Sequence, residues 1–187
     1  SRVPRRRRSD DVNAPIPCYH CALPVPRGGR FNASVLGENR AFCCPGCQAV
    51  AQAIVAGGLE SYYSHRSEAS TNPRTLPTQL ADEQALYDRP DVQAPFVRHD
   101  AHLADTTLLI EGISCAACGW LIERHLRTLP AVVEARLNLS THRLHLRWND
   151  SDLPLSQVMQ QVRSIGYAAH PYQADHATER LAQENRR

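Results

Sequence analysis

Lysine is missing from this chain altogether: its 21 basic residues are all arginine. That absence is a compositional bias of the source genome and excludes no function. Long apolar runs are missing as well. The longest nearly apolar stretch, Ala49 to Leu59, falls far short of the ~20 residues a helix needs to cross a bilayer, so no membrane span is expected and the chain should be soluble. A strong excess of either charge is missing too, with a formal net of +2, and no basic face interleaved with aromatics is visible. Both features argue against a nucleic-acid partner. An apolar content of 42% over 187 residues fills modest cores and excludes one long buried architecture, so two small domains are expected.

What the chain does have is cysteine, in three groups: Cys18/Cys21, Cys43/Cys44/Cys47 and Cys115/Cys118. Such clustering does not suit a disulfide framework. It suits metal binding in a reducing compartment, with exposure to the cytoplasm.

The chemical centre is GISCAACGW, Gly112 to Trp120. Thr106 to Glu111 reads as a short strand, and Gly112 lets the chain turn out of the sheet. Apolar positions at Cys118, Leu121, Ile122, Leu126 and Leu129 then follow the i, i+3, i+4 rhythm of a helix that Pro130 ends. Cys115 falls in the loop and Cys118 in the first helical turn, where unpaired backbone N–H groups favour thiolate over thiol. Thiolates so placed select soft monovalent metal such as Cu(I). Spacing alone also allows a thioredoxin-like redox pair or half of a zinc site.

Downstream, Val133, Ala135 and Leu137 alternate with charged residues, as do Leu144, Leu146 and Trp148, which marks two half-buried strands. Leu155, Val158, Met159, Val162 and Ile165 mark an amphipathic helix closed by Gly166, and Tyr167 to Tyr172 can add a last strand. The order is βαββαβ over 104–172, predicting a four-stranded antiparallel sheet with two helices on one face, the ferredoxin-like arrangement.

The first domain, 16–98, is expected to be small, cysteine-rich and zinc-ribbon-like, which makes the whole chain α+β. Cys18 and Cys21 form one knuckle and Cys44 and Cys47 a second, with 22 residues between them. Four cysteines around a tetrahedral ion would tie together a segment poor in large apolar residues. Cys43 competes with Cys44 for a place, and His20 is a spare donor. Pro45 suits a first helical position and Gly57/Gly58 a helix end, so Cys47 to Ala56 should be helical with Val50, Ala53 and Ile54 inward. Tyr62 and Tyr63 are expected to complete the core. Ser67 to Thr78 reads as linker, Gln79 to Tyr87 as a short helix and Arg89 to Val97 as extended. His99 and His102 should be exposed. At the two ends, 1–15 with Arg5 to Arg8 reads as a disordered arm and 173–187 as a polar segment.

The loop GISCAACGW resembles the GMxCxxC loop of the heavy-metal-associated domain of copper chaperones and copper-transporting ATPases, with Ile113 where that family usually has Met. CYHC, FCCPGC and GLESYYSHR resemble the cysteine-rich domain that precedes it in copper ATPases of the FixI/CcoI type, which serve assembly of cbb3-type cytochrome oxidase. The resemblance implies Cu(I) on Cys115 and Cys118, with Ile113 and Tyr167 packed around the site. It implies a ferredoxin-like fold, a cytosolic copper chaperone carrying CxxC as partner, and the cytoplasmic face of a bacterial inner membrane as location. In that family 173–187 leads toward membrane and ATPase domains. The chain has no DKTG phosphorylation motif and no nucleotide-binding domain, so ATP hydrolysis is not expected of it. The cysteines of the first domain would then hold Zn(II) or copper. The rivals are a thiol-disulfide oxidoreductase and a zinc-ribbon nucleic-acid adaptor.

Overall fold

A computed structural model describes residues 14–79 and 81–173. Most of the expected arginine-rich arm (1–13) and of the polar segment (174–187) lies outside the described residues.

Between the first two cysteine groups the chain folds into a hairpin, β1 (Asn32–Val35) and β2 (Glu38–Ala41). Leu36 and Gly37 connect them, both at positive φ (52° and 77°), which is the backbone a two-residue turn needs to match strand twist. Helix α1 (Pro45–Ala56) follows, with Pro45 opening it and Gly57 capping its end. It buries Cys47, Val50, Ala51 and Ile54, so Ala51 and not Ala53 completes the inward stripe. The short helix α2 (Tyr62–His65) buries both tyrosines.

The segment after α2 is not a linker. Ser70, Asn72 and Leu76 are buried, Pro73–Thr75 form a 3-10 turn, and residues 66–76 lie as a strap against both halves of the molecule. Its Ser, Thr, Asn and Pro content resembles that of a loop because the strap is held by hydrogen bonds and not by an apolar period. Helix α3 (Ala81–Leu86) falls within the expected 79–87. The stretch 89–97, expected to be extended, starts as a helical turn, α4 (Pro90–Gln93), because Pro90 is pre-set for a first helical position. Strand β3 (Val97–Asp100) comes next.

Strand β4 (Leu103–Glu111) organises the second half, burying Ala104, Thr106, Leu108 and Ile110 on one face. Helix α5 (Ala116–Arg127), β5 (Val132–Asn138), β6 (Arg143–Trp148), α6 (Leu155–Ser164) and β7 (Ala168–Pro171) complete the βαββαβ order. All strand pairs are antiparallel: β5 on β6, β6 on β4, β4 on β7. That spatial order is the ferredoxin-like one. Strand β3 adds a fifth strand, pairing with the first half of β4 where β7 does not reach. A bulge between Val132 and Glu134 turns Val133 outward, 61% exposed, against the inward place its alternation suggested. Helices α5 and α6 bring Leu121, Ile122, Leu126, Val158, Met159 and Val162 onto Leu108, Leu144, Leu146 and Trp148, and Trp148 donates its indole N–H to Leu153 O at 2.8 Å.

The two halves share one core. Gly166 (φ +96°) lets α1 approach so closely that a Cβ there would lie 3.1 Å from Val50 Cγ1. Gly112 (φ +101°) does the same beneath the strap, 3.1 Å from Leu76 Cδ2. Among the described residues no helix is long and apolar enough to cross a membrane.

Candidate metal centres

The first knuckle is a tight loop in which Ala22 N donates to Cys18 O and Cys18 N to Leu23 O, with Ala22 at φ 63°. The second cysteine group comes from the end of β2 and the first turn of α1. Together they place the sulfurs of Cys18, Cys21, Cys43 and Cys47 within 4.8 Å of one another. Three edges of this cluster are set at 3.6 Å (Cys21–Cys43), 3.8 Å (Cys43–Cys47) and 3.7 Å (Cys47–Cys21). A tetrahedral ion with bonds of about 2.3 Å to sulfur requires sulfur separations of about 3.8 Å. The donor set fits such an ion.

Cys43, not the expected Cys44, fills the fourth position. Cys44 is the N-cap of α1, and its sulfur accepts the Cys47 amide at 3.4 Å, which occupies it in helix capping. In CCPGC the capping role belongs to the residue before Pro45, so the ligand spacing becomes Cys43-x3-Cys47. His20 is also excluded from the cluster. It is buried, its Nδ1 lies 2.9 Å from Tyr63 Oη, and burial together with the Arg66 charge pushes its pKa down to about 4, leaving it neutral.

Sulfurs this close cannot all ionise unaided. The thiol of Cys47 hydrogen-bonds Cys18 and, against burial, holds its pKa down at about 4. Cys43 is pushed up to about 12 by burial and by Cys21 and Cys18, and Cys47 is raised chiefly through its bond to Cys18. A bound cation would remove this penalty, since it stabilises every thiolate at once. Asn72 donates its amide to Cys21 Sγ (3.3 Å) and Cys43 Sγ (3.5 Å) from the strap, a role no sequence period announced.

The second site is the pair Cys115 and Cys118. Cys115 is the N-cap of α5, half-buried, and Cys118 lies in the first turn with no exposure at all. Burial opposes ionisation of Cys115, but the backbone N–H groups of Ser67, Ala117, Glu68 and Cys118 outweigh it and bring its pKa down to about 7. Ser114 offers Cys118 its amide and its hydroxyl, both at 3.5 Å. Tyr62 Oη approaches Cys118 Sγ at 3.7 Å, and Tyr167, 3% exposed, bonds to both of them. Ile113 packs half-buried against the core. The loop that carries Cys115 is therefore covered, and its cover comes from Tyr62 to Leu76 of the first half. Tyr62 does more than complete a core. His99 pairs with Asp150 at 2.8 Å and His102 is exposed, both remote in role from the cysteines.

Two domain models account for nearly all of this architecture: residues 17–101 match the metal-binding domain of cation transport ATPase, and residues 107–168 match the heavy-metal-associated domain. The chain belongs with the metal-binding regions of cation transport ATPases, and it is similar to FixI and to copper-exporting P-type ATPases. Over 70 residues, 37% of this chain and 10% of the relative, it is 36% identical to nitrogen fixation protein FixI of Bradyrhizobium diazoefficiens. Over 153 residues, 78% of this chain and 16% of the relative, it is 34% identical to copper-transporting ATPase 2 of Rhizobium meliloti. The chain thus spans a small fraction of the length of the curated relatives it matches. Among solved structures, the Cu(I)-loaded N-terminal domain of a potential copper-translocating P-type ATPase from Bacillus subtilis aligns with 37% of this chain and 86% of its own length, at 26% identity and a TM-score of 0.36.

Proposed function

We propose that this chain is the Cu(I)-binding and copper-transfer or regulatory region of a copper-exporting P-type ATPase that supplies copper for cbb3-type oxidase assembly, on the cytoplasmic face of a bacterial inner membrane. The observation that carries it is the Cys115/Cys118 pair. Two soft sulfurs, one at the N-cap of α5 and already near its ionisation point and the other in the first turn, satisfy Cu(I) in a near-linear site and leave Zn(II) short of four ligands. Copper is cargo here, arriving from a chaperone with its own CxxC by stepwise sulfur exchange. Half-buried Cys115 attacks first and fully buried Cys118 closes the site. ATP hydrolysis belongs to the parent pump and not to these residues.

The four-cysteine cluster holds Zn(II) in a chiefly structural role. Its tetrahedral edges support that assignment, and a core of this size gains from metal binding, which in small sites is worth roughly 10 to 16 kcal/mol. The domains are taken as 16–98 and 104–172. Metal analysis of anaerobically purified, reduced chain should find one zinc and one copper, and the Cys115→Ser/Cys118→Ser chain should keep the zinc and lose the copper. Copper content unchanged in that double variant would refute the assignment.

A further inference from the structure

Residues 62–76, helix α2 and the strap that follows it, touch both thiolate sites through separate, directed contacts. On the knuckle side, Arg66 donates to the carbonyls of His20 (2.6 Å) and Tyr19, the two residues between Cys18 and Cys21, and Ser70 N donates to His20 O at 2.9 Å. Asn72 reaches Cys21 and Cys43 directly. On the side of the pair, Thr71 Oγ1 donates to Gly112 O at 2.9 Å, and Leu76 packs over Gly112.

One chain of hydrogen bonds joins the two sides. Arg66 has only donors, so at 2.9 Å Ser70 Oγ accepts from it. Ser70 Oγ and Tyr62 Oη are 2.7 Å apart, and Tyr62 Oη is 3.7 Å from Cys118 Sγ. When Cys118 is a thiolate it can only accept, so Tyr62 donates to it and Ser70 donates to Tyr62. Donation then runs outward from Arg66 on both sides, to the Tyr19 and His20 carbonyls of the first knuckle and through Ser70 and Tyr62 to Cys118.

We propose that the strap couples the two sites: metal held by Cys18, Cys21, Cys43 and Cys47 fixes residues 62–76 over Cys115 and Cys118 and slows exchange of ligands at that pair. The proposal rests on the metal assignment given above for the four-cysteine cluster. Its physical basis is that metal keeps Cys21 and Cys43 as thiolates, which strengthens the Asn72 bonds, and freezes the Tyr19–His20 carbonyls on which Arg66 sits. Entry of a partner's sulfur to Cys118, which has no exposure, requires the strap to lift. Opening then costs the Asn72, Arg66 and Thr71 bonds together.

The test uses the full 187-residue chain, reduced, with one equivalent of zinc or none, and reads modification of Cys115 and Cys118 by N-ethylmaleimide, mapped by mass spectrometry. Zinc should slow modification of the pair by about fivefold or more, the lower end of ordinary site-to-site coupling. In zinc-loaded chain, Thr71→Val should restore fast modification while metal analysis still finds one zinc. Thr71 bonds to Gly112 O and touches no ligand of the four-cysteine cluster, so its loss frees the strap without altering the zinc site. Equal rates with zinc bound and absent, or slow modification in a zinc-bound Thr71→Val chain, would overturn the coupling alone. A chain that takes up no zinc would instead remove the metal assignment, and the coupling with it.

Discussion

Serine substitution at the adjacent residues 43 and 44 separates two ligand sets that spacing alone leaves open. The sulfur of Cys43 lies 3.6 Å from Cys21 and 3.8 Å from Cys47, inside the four-sulfur cluster, whereas that of Cys44 accepts the amide of Cys47 at 3.4 Å. Zinc in small four-ligand sites contributes roughly 10 to 16 kcal/mol, so losing one thiolate of four should cost on the order of 3 kcal/mol. Cys43→Ser should therefore weaken zinc binding by about a hundredfold. In Cys44→Ser the hydroxyl can take over the cap, at which serine is preferred, so the change should stay within ~1 kcal/mol. A competition titration against a zinc chelator at fixed pH, under reducing conditions, reads both. If Cys44→Ser loses zinc as Cys43→Ser does, or loses more, the cluster geometry is wrong and the cap assignment falls with it.

Gly112→Ala forces a side chain onto φ +101° and pushes a Cβ to 3.1 Å from Leu76, so backbone strain of about 1 to 3 kcal/mol should appear in urea denaturation. A loss under ~0.5 kcal/mol would show that the strap does not hold that turn closed. Cys115 modification in zinc-loaded chain should titrate with a midpoint of about 7, because its thiolate is the favoured form above that pH and is lost as pH falls through it. A midpoint at the ordinary thiol value of roughly 8.5 would contradict the backbone N–H groups assigned to it. Val133→Thr on the bulge should stay within ~0.5 kcal/mol, while Leu146→Ala beneath the helices should cost about 2 to 5 kcal/mol in the same assay.

The second half of the fold was legible because its elements carry strong periods: Leu144, Leu146 and Trp148 alternate, and Leu121, Ile122 and Leu126 repeat as a helix does. Val133 broke its own alternation because a bulge is a backbone event with no residue that announces it. Cys115 and Cys118 stood out from spacing, but their cover did not. Tyr62 gives the helical phase of a core residue whether its hydroxyl ends in solvent or on a sulfur. Ser70, Thr71 and Asn72 look like any polar loop, since their hydrogen bonds to distant residues leave no pattern along the chain. Cys44 was hidden by its neighbour: two adjacent cysteines before Pro-Gly offer a ligand and a cap, and only the helix start decides which is which.

The central claim, one Cu(I) on Cys115 and Cys118 beside a separate zinc on the first four cysteines, is met most directly by titrating zinc-loaded, reduced chain with Cu(I) and following thiolate-to-copper absorption. A single sharp end point at one equivalent is predicted, absent from the Cys115→Ser/Cys118→Ser chain and accompanied by no release of zinc. An end point that survives the double substitution, or copper that displaces zinc mole for mole, would contradict it.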